Sequence, residues 1–526
     1  VRRRRRIIQD LGAIAAGVAA PMTLTALFRS AETDRRHRPD LRLVPIMLAA
    51  YAAAFLGDGV GTVAGLLFWA ACAVAGFAFL ARTKRRTAAA MLLVGAGVGV
   101  AATTRIMVLR DGPIPDLAAA HSTATVEAVV TDDPRTITTK HGPLVIVPAR
   151  AELVSTADAA YRVRVPVTVM TSSTELWRSL LPSTRLRITG RLAPPGDGWP
   201  DAALLSTRRA PDVIGGPSLL QRFAGRLRQD LRDACKGLPA DPRGLVPGLV
   251  IGDTSEEPAS LAEAFRDTGL THLTAVSGEN LVFLLGAVMP LARIAGVRGR
   301  MLTLFGLAVV IGFTVLARPE PSMVRASVMS LLGLAVAATG RQARGVPLLC
   351  AGAVLLLLAD PWLARSYGFA LSFSATAGLF ILAPGWQERL RYRRVPARIA
   401  ESLACTAAAE TFCLPILVSL TAAITPLSLP ANLLAEFCVG PATVLGAAAL
   451  VAAAVWLPLG QAVAWLAQWP TDGIVGVARY GSRLPGAVVH WPSGAAGTCA
   501  LLAAYAVVIM ATAAVSARRT TRRGAR

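Results

Sequence analysis

Apolar positions run in long unbroken stretches over most of this chain and alternate with polar ones over a single stretch of about a hundred residues. The first apolar segments lie at 43–57, 59–81 and 88–109. Others follow at 270–292, 301–317, 322–340, 346–359, 367–385, 399–422, 427–456, 461–478 and 496–515. A helix that crosses the hydrocarbon core needs about 20 apolar residues, and most of these segments approach that length. Some are short or interrupted by Gly and Pro, which predicts broken or re-entrant helices. The pattern predicts a polytopic α-helical membrane protein with about 10–12 transmembrane helices.

Between Gly112 and Gly215 the period changes to two. TATVEAVV from Thr123, GPLVIVPARAELV from Gly142, YRVRVPVTVM from Tyr161 and TRLRITGRL from Thr184 alternate and are rich in Val, Ile and Thr. These are strand signals, and Asp132, Asp133, Pro134 and the cluster Pro194–Gly198 read as turns between them. The expectation is an inserted, extracytoplasmic all-β domain, a five-stranded barrel of the OB-like kind.

Two helices should follow. In PSLLQRFAGRLRQDLRDACK, Leu220, Phe223, Leu227, Leu231 and Ala234 recur at helical spacing, with Arg222, Arg226, Arg228 and Arg232 off that stripe. Such a helix suits a membrane surface or the flank of the barrel equally. A second is announced by Thr254 with Glu257 three residues on, a capping box, and is closed by Gly269. The resulting organisation is a basic N-terminal extension (1–40), N-terminal transmembrane helices (41–111), the β-domain (112–215), amphipathic and connecting helices (216–269), a second transmembrane domain (270–517) and a basic tail (518–526).

Composition supports the bilayer. The 526 residues are 54% hydrophobic and 16% charged, against about 25% charged in soluble domains, so a water-facing surface cannot be covered. The formal net charge of +22 would suggest a polyanionic partner in a soluble protein. In a membrane protein, excess Lys and Arg marks cytoplasmic loops, and this accounts for most of the basic residues. Arg82–Arg86, then Arg293, Arg298 and Arg300, then Arg341 and Arg344, then QERLRYRRVPAR from Gln387, and finally RRTTRRGAR from Arg518 all fall on one side if each span crosses once. Both termini then lie in the cytoplasm and the β-domain outside. The β-domain itself is nearly neutral, with 11 Lys and Arg against 10 Asp and Glu.

Ionisable and polar residues within spans are costly and face a bundle interior or an aqueous path. They are His272, Glu279 and Asn280; Arg318, Glu320 and Arg325; Asp360; Glu401 and Glu410; and Asn432 and Glu436. In AVSGEN, free amides around Ser277 and Gly278 suit an anion or a translocating phosphate; the alternative is a tight helix crossing through Ser and Gly. Arg325 either lines a polyanion path or neutralises Glu279, Glu410 or Glu436. Asp360, before Pro361, reads as the end of a helix.

No catalytic constellation is visible, and no enzyme activity, cofactor or metal is expected. The histidines (His37, His121, His141, His272 and His490) are scattered, and the cysteines (Cys72, Cys235, Cys350, Cys405, Cys413, Cys438 and Cys499) form no CxxC pair. The P-loop pattern GxxxxGK[ST] is absent, so energy for transport comes from elsewhere.

Four segments together resemble the ComEC family of competence proteins. They are GLVIGDTSEEPASLAEAFRDTGLTHLTAVSGENLVFL from Gly248, PSMVRASVMSLLGL from Pro321, LLLLADPWLARSYGFALSFSATAGL from Leu355 and LPILVSLTAAITPLSLPANLLA from Leu414. The resemblance covers about residues 40 to 515. It implies a channel that passes one strand of transforming DNA into the cytoplasm, fed by an extracytoplasmic DNA receptor and drawn by a cytoplasmic helicase. Residue by residue, His272, Ser277 and Gly278 match the central signature, Arg325 the following helix, and Asp360, Pro361, Gly368, Ser372 and Asn432 later motifs. Many members carry a C-terminal metallo-β-lactamase-like domain proposed to degrade the other strand; here RRTTRRGAR follows the final span, which assigns that task to another protein or to the β-domain. The stretch 112–215 also lacks the cysteines of a disulfide found in some relatives. The competing readings are a transporter of another anionic substrate and a membrane scaffold.

Overall fold

Small residues set the first helical contacts. A computed structural model of the chain describes residues 39–57, 62–82, 86–110, 112–139, 142–172, 175–196, 199–274, 278–318, 321–338, 345–507 and 510. Residues 1–38, Ser277, Glu320, Arg341, Arg344 and the tail lie outside this set, as does the side chain of Glu279. Helices α1 (Val44–Leu56), α2 (Thr62–Arg82) and α3 (Arg86–Arg110) pack together. At Gly99 a Cβ would lie 2.2 Å from the Trp69 ring, so only glycine admits the indole, whose Nε1 donates to Thr103 Oγ1 at 3.2 Å.

A short helix, α4 (Pro113–Ala119), leads into the β-domain. Its strands are β1 (Thr123–Val130), β2 (Arg135–Thr139), β3 (Gly142–Ser155) and β4 (Ala160–Thr171), then, after one turn of helix α5 (Glu175–Arg178), β5 (Arg185–Ala193), β6 (Ala203–Thr207) and β7 (Asp212–Gly215). β1 pairs with both β3 and β5, and β4 pairs in parallel with β6, which closes the ring β1-β3-β4-β6-β5-β1. Counting ring strands alone, the order is 1-2-3-5-4-1, the OB-like barrel that the alternation predicts. β2 extends β3 and β7 extends β5 outside the ring. Alternate residues of each strand, such as Val126, Val145, Val147, Val167, Leu186 and Leu205, fill the interior around the fully buried Trp177.

The second helical part comprises α6 (Leu219–Cys235), α7 (Ala240–Ile251), α8 (Ala259–Asp267), a 3-10 turn (Thr271–Leu273), α9 (Gly278–Ile294), α10 (Arg300–Ala317), α11 (Pro321–Ala338) and α12 (Gly345–Ala359). A 3-10 segment (Pro361–Arg365) leads to α13 (Tyr367–Ile381), α14 (Ala383–Tyr392), α15 (Ala397–Thr421), α16 (Ser428–Val455), α17 (Leu457–Gly481) and α18 (Gly494–Val507). Among the described residues, α2, α3, α10, α15 and α16 are long and apolar enough to cross a membrane; α13 and α14 form a pair bent by 43°, and α1, α9, α11, α12 and α18 are shorter apolar helices. The chain is thus a multi-pass membrane protein with an inserted β-domain.

Four expectations need correction. The stretch 461–478 is not among these apolar helices: it falls in α17, whose Gln461, Gln468, Asp472 and Arg479 make it amphipathic, and which packs on α16, α6, α7 and α8. The span expected at 367–385 is broken at Leu382, where α14 turns away. The capping box does not form, because α8 starts only at Ala259 after Pro258; Thr254 and Glu257 instead close a turn, with Glu257 N donating to Thr254 O at 3.1 Å. In α6, Arg228 is buried while Leu220 and Phe223 are exposed, because its inner face is the row Ala224, Arg228, Leu231 and Cys235, packed on α7, α16 and α17.

Helices α13 and α15 approach most closely at Gly378, where a Cβ would lie 2.4 Å from the Ala408 carbonyl oxygen. Backbone cannot move aside as a side chain does. Gly378→Ala is therefore expected to separate the pair at a cost of about 1–3 kcal/mol, seen as a lowered unfolding temperature of the detergent-purified protein, whereas Gly385→Ala, with open space around it, leaves that temperature unchanged.

Candidate functional site

The polar residues of the spans gather in separate groups, each made by neighbouring helices. Arg325 on α11 is 5% exposed. Its Nε and Nη2 donate to Ser372 Oγ on α13 at 3.0 and 2.6 Å, and Nη1 lies 3.2 Å from Met329 Sδ. Among the described residues no carboxylate lies within ion-pair distance of this guanidinium, so its charge is met only by neutral groups. The expectation that Glu410 or Glu436 neutralises it does not hold, and the side chain of Glu279, the third candidate, lies outside the described residues. Glu410, on α15, accepts from Ser428 and Asn432 of α16, the latter at 3.3 Å, and Glu436 accepts from Ser402. Those two hydroxyls and the Asn432 amide hold both carboxyls locally, on helices four and five places after α11.

Gly278 opens α9 against α11: its Cβ, if it had one, would be 2.8 Å from Ala326, the residue after Arg325. This close approach favours the tight helix crossing for that end of the signature. Asn280 is buried, and its Nδ2 donates to the Leu249 carbonyl near the end of α7 at 2.8 Å. His272 stands apart, exposed in its 3-10 turn with Nδ1 3.2 Å from Gly269 O. Asp360 caps the 3-10 segment begun by the buried Pro361, accepting from Trp362 N at 3.2 Å, and lies 3.7 Å from Arg105 of α3. Gly368 sits in the first turn of α13, four residues before Ser372.

Arg318 is not in the bundle interior. It ends α10 in a positive-φ conformation (φ 70°) and faces the β-domain. Its Nε donates to Asp133 Oδ2 at 2.8 Å, Nη2 is 2.8 Å from Oδ1, and Nη1 donates to Gln221 of α6. Beside it Arg228 donates from Nη1 to the carbonyls of Ile251 and Leu316, so one guanidinium caps the C-terminal ends of both α7 and α10, where the helix dipoles favour a cation. Its Nη2 reaches Asp133 at 3.4 Å and Asp253 at 3.6 Å, and Arg232 binds Asp253 at 2.5 Å. Burial raises the Asp253 carboxyl, but Arg228, the hydroxyl and amide of Ser255, and Arg232 outweigh it and leave it below the usual carboxylate range. Sequence reasoning misses this cluster. The signal was present in the spacing 224, 228, 231 and 235, which puts Arg228 on the buried face.

Among the described residues no group of three His, Cys, Asp or Glu is placed to hold a metal ion. Within the helices the described residues offer buried guanidiniums, amides and hydroxyls, groups that can recognise an anion.

Comparison with known proteins bears on the helical half. ComE operon protein 3 of Bacillus subtilis (strain 168) is 26% identical over 213 residues, 40% of this chain. The chain spans 27% of the length of that relative. No solved structure matches. The family model described as Competence protein matches residues 249–518, which contain Arg325, Ser372, Glu410 and Asn432. That match takes in more than half of the sequence, and the chain belongs to the Competence protein family.

Proposed function

We propose that this protein is the membrane channel through which single-stranded DNA enters the cytoplasm during natural transformation. One observation carries the reading: Arg325, inside the family-matched helices, is buried with no carboxylate to balance it among the described residues. An uncompensated buried charge costs several kcal/mol and persists where it does work. A passing phosphodiester supplies the missing charge, and guanidinium is the group that binds phosphate through paired donors.

In this reading the β-domain is extracytoplasmic and both termini are cytoplasmic. Support comes from α10: Arg293, Arg298 and Arg300 run from the last turn of α9 to the start of α10, and Arg318, at the other end of α10, meets the β-domain. A DNA receptor would act outside and a helicase inside, and the chain would contribute passage rather than hydrolysis.

The test is deletion of the gene in its own host, followed by transformation with labelled DNA, with and without the restored gene. Loss of transformants on deletion and recovery on restoration are expected. Unaltered transformation of the deletion strain would overturn the DNA reading in favour of another anionic substrate.

A further inference from the structure

The cluster between the β-domain and the helices holds three guanidiniums, Arg228, Arg232 and Arg318, against two carboxylates, Asp133 and Asp253. The two aspartates differ in kind. Asp253 is 5% exposed and is fixed by three donors, the guanidinium of Arg232 and the amide and hydroxyl of Ser255, with the charge of Arg228 3.6 Å away. It belongs to the helical part, one residue beyond the cap of α7. Asp133 is brought in from outside, on the turn Asp132–Asp133–Pro134 between β1 and β2, and its side chain is 29% exposed. Its grip is also imperfect. Nη2 of Arg318 is 2.8 Å from Oδ1, yet this buried nitrogen makes no hydrogen bond, because the direction is wrong.

We propose that Arg318 and Arg228 form a phosphodiester-binding site at the mouth of the helical bundle, and that Asp133 is its built-in occupant, displaced when a strand arrives. The inference rests on the DNA-channel reading for the identity of the ligand. The chemistry is that of like for like: a carboxylate and a phosphodiester each present two anionic oxygens to a guanidinium fork. With Asp133 in place the group carries one net positive charge; with the turn lifted away it carries two, and both Arg228 and Arg318 then face the space that Asp133 Oδ2 had filled. Arg228 cannot follow the departing turn, since it is tied to the Ile251 and Leu316 carbonyls. Arg318 is bounded by α10 and by Gln221. The site is therefore preformed, and what moves is the β-domain turn. Docked, the turn keeps small anions off the arginines; a polyanion, which offers many phosphates in succession, competes with it.

The experiment uses the full chain in lipid nanodiscs, with a fluorescein-labelled oligothymidylate and a matched abasic phosphodiester oligomer as probes, read by anisotropy over a range of salt. Asp133→Asn removes the competing charge while keeping the shape of the turn. It is expected to bind both probes about tenfold more tightly than wild type, the loss of one charge-assisted competitor. The salt slope should steepen by about 0.7 for each additional phosphate that the arginines neutralise. Asp133→Glu, which keeps the charge, should bind as wild type does, and Arg318→Gln added to Asp133→Asn should return affinity and slope to the wild-type values. Equal or weaker binding by Asp133→Asn, or the same tightening in the double variant, overturns the proposal. The outcome separates from that of the gene deletion: tightening by Asp133→Asn in a protein whose loss leaves transformation intact would retain the site and reject DNA as its natural ligand, whereas a required gene with no tightening rejects the site and retains the channel.

Discussion

Replacing Arg325 by methionine is expected to make the protein more stable and to cut transformation by at least about a hundredfold, the scale of about 3 kcal/mol. The two effects have one cause. In the bundle the guanidinium is bonded to the Ser372 hydroxyl and touches the Met329 sulfur, neither of which carries charge. Removing a buried charge that has no counter-ion among the described residues relieves its desolvation cost, and an apolar side chain of similar length fills the space. A residue kept only to hold α11 and α13 together would behave in the opposite way, since its loss would lower stability. The measurements are the unfolding temperature in detergent and the number of transformants at matched membrane protein levels. Lower stability with normal transformation would assign Arg325 a packing role and remove it from the path. Ser372→Ala, which leaves the charge without its hydroxyl, should lower both.

Trp177→Ala is expected to unfold the β-domain without removing the protein from the membrane. The indole is wholly buried, and its Nε1 donates to the Arg209 carbonyl at 3.2 Å, so truncation costs about 3–5 kcal/mol. That is a large part of the roughly 5–15 kcal/mol that holds a domain of this size together. The damage should stay local. The barrel core runs from Leu109 to Leu205 and shares no buried residue with the cores of the helical half. Limited proteolysis is expected to cut the variant within 120–215 while the helices after α6 stay protected. If the β-domain guides the strand, transformation falls with it. If the helices conduct alone, transformation persists, and a guiding role for the barrel is excluded.

The barrel was largely legible in the sequence because a period of two survives local irregularity. β1 buries every second residue from Ala124 to Val130, and bulges at Glu127/Ala128 and Ala151/Leu153 do not mask the alternation. β2, β6 and β7 were not legible: RTITT, ALLST and DVIG are too short to show a period, and β6 is placed by pairing with a strand 36 positions earlier. For the spans, hydropathy found the segments but not their geometry. It did not show that α17, which is amphipathic, packs on four other helices. Candidate site residues were visible as charges in apolar surroundings, which flags a cost without naming what meets it. Ser372 lies 47 positions from Arg325, and Asp133 lies 185 from Arg318, distances over which a single sequence carries no pairing signal. Arg228 was misplaced for a different reason: an arginine was assumed to belong to the wet face of its helix, although its spacing put it on the dry one.

The β-domain is an insertion, joined to α4 at one end and to α6 at the other, and this shapes how the Asp133 turn behaves over many passages. A carboxylate held on a short double tether is present at its arginines at an effective concentration in the millimolar range or above, whatever the medium contains. Free acetate, phosphate or acidic peptides in the surroundings thus compete poorly, and only a ligand that is itself multivalent outlasts the returning turn. The turn also reseats itself by an intramolecular step as soon as the last phosphate leaves, with no second molecule to wait for. On the proposal made above, the two short connections favour polymers over monomers at the site and bring the turn back once a strand has left.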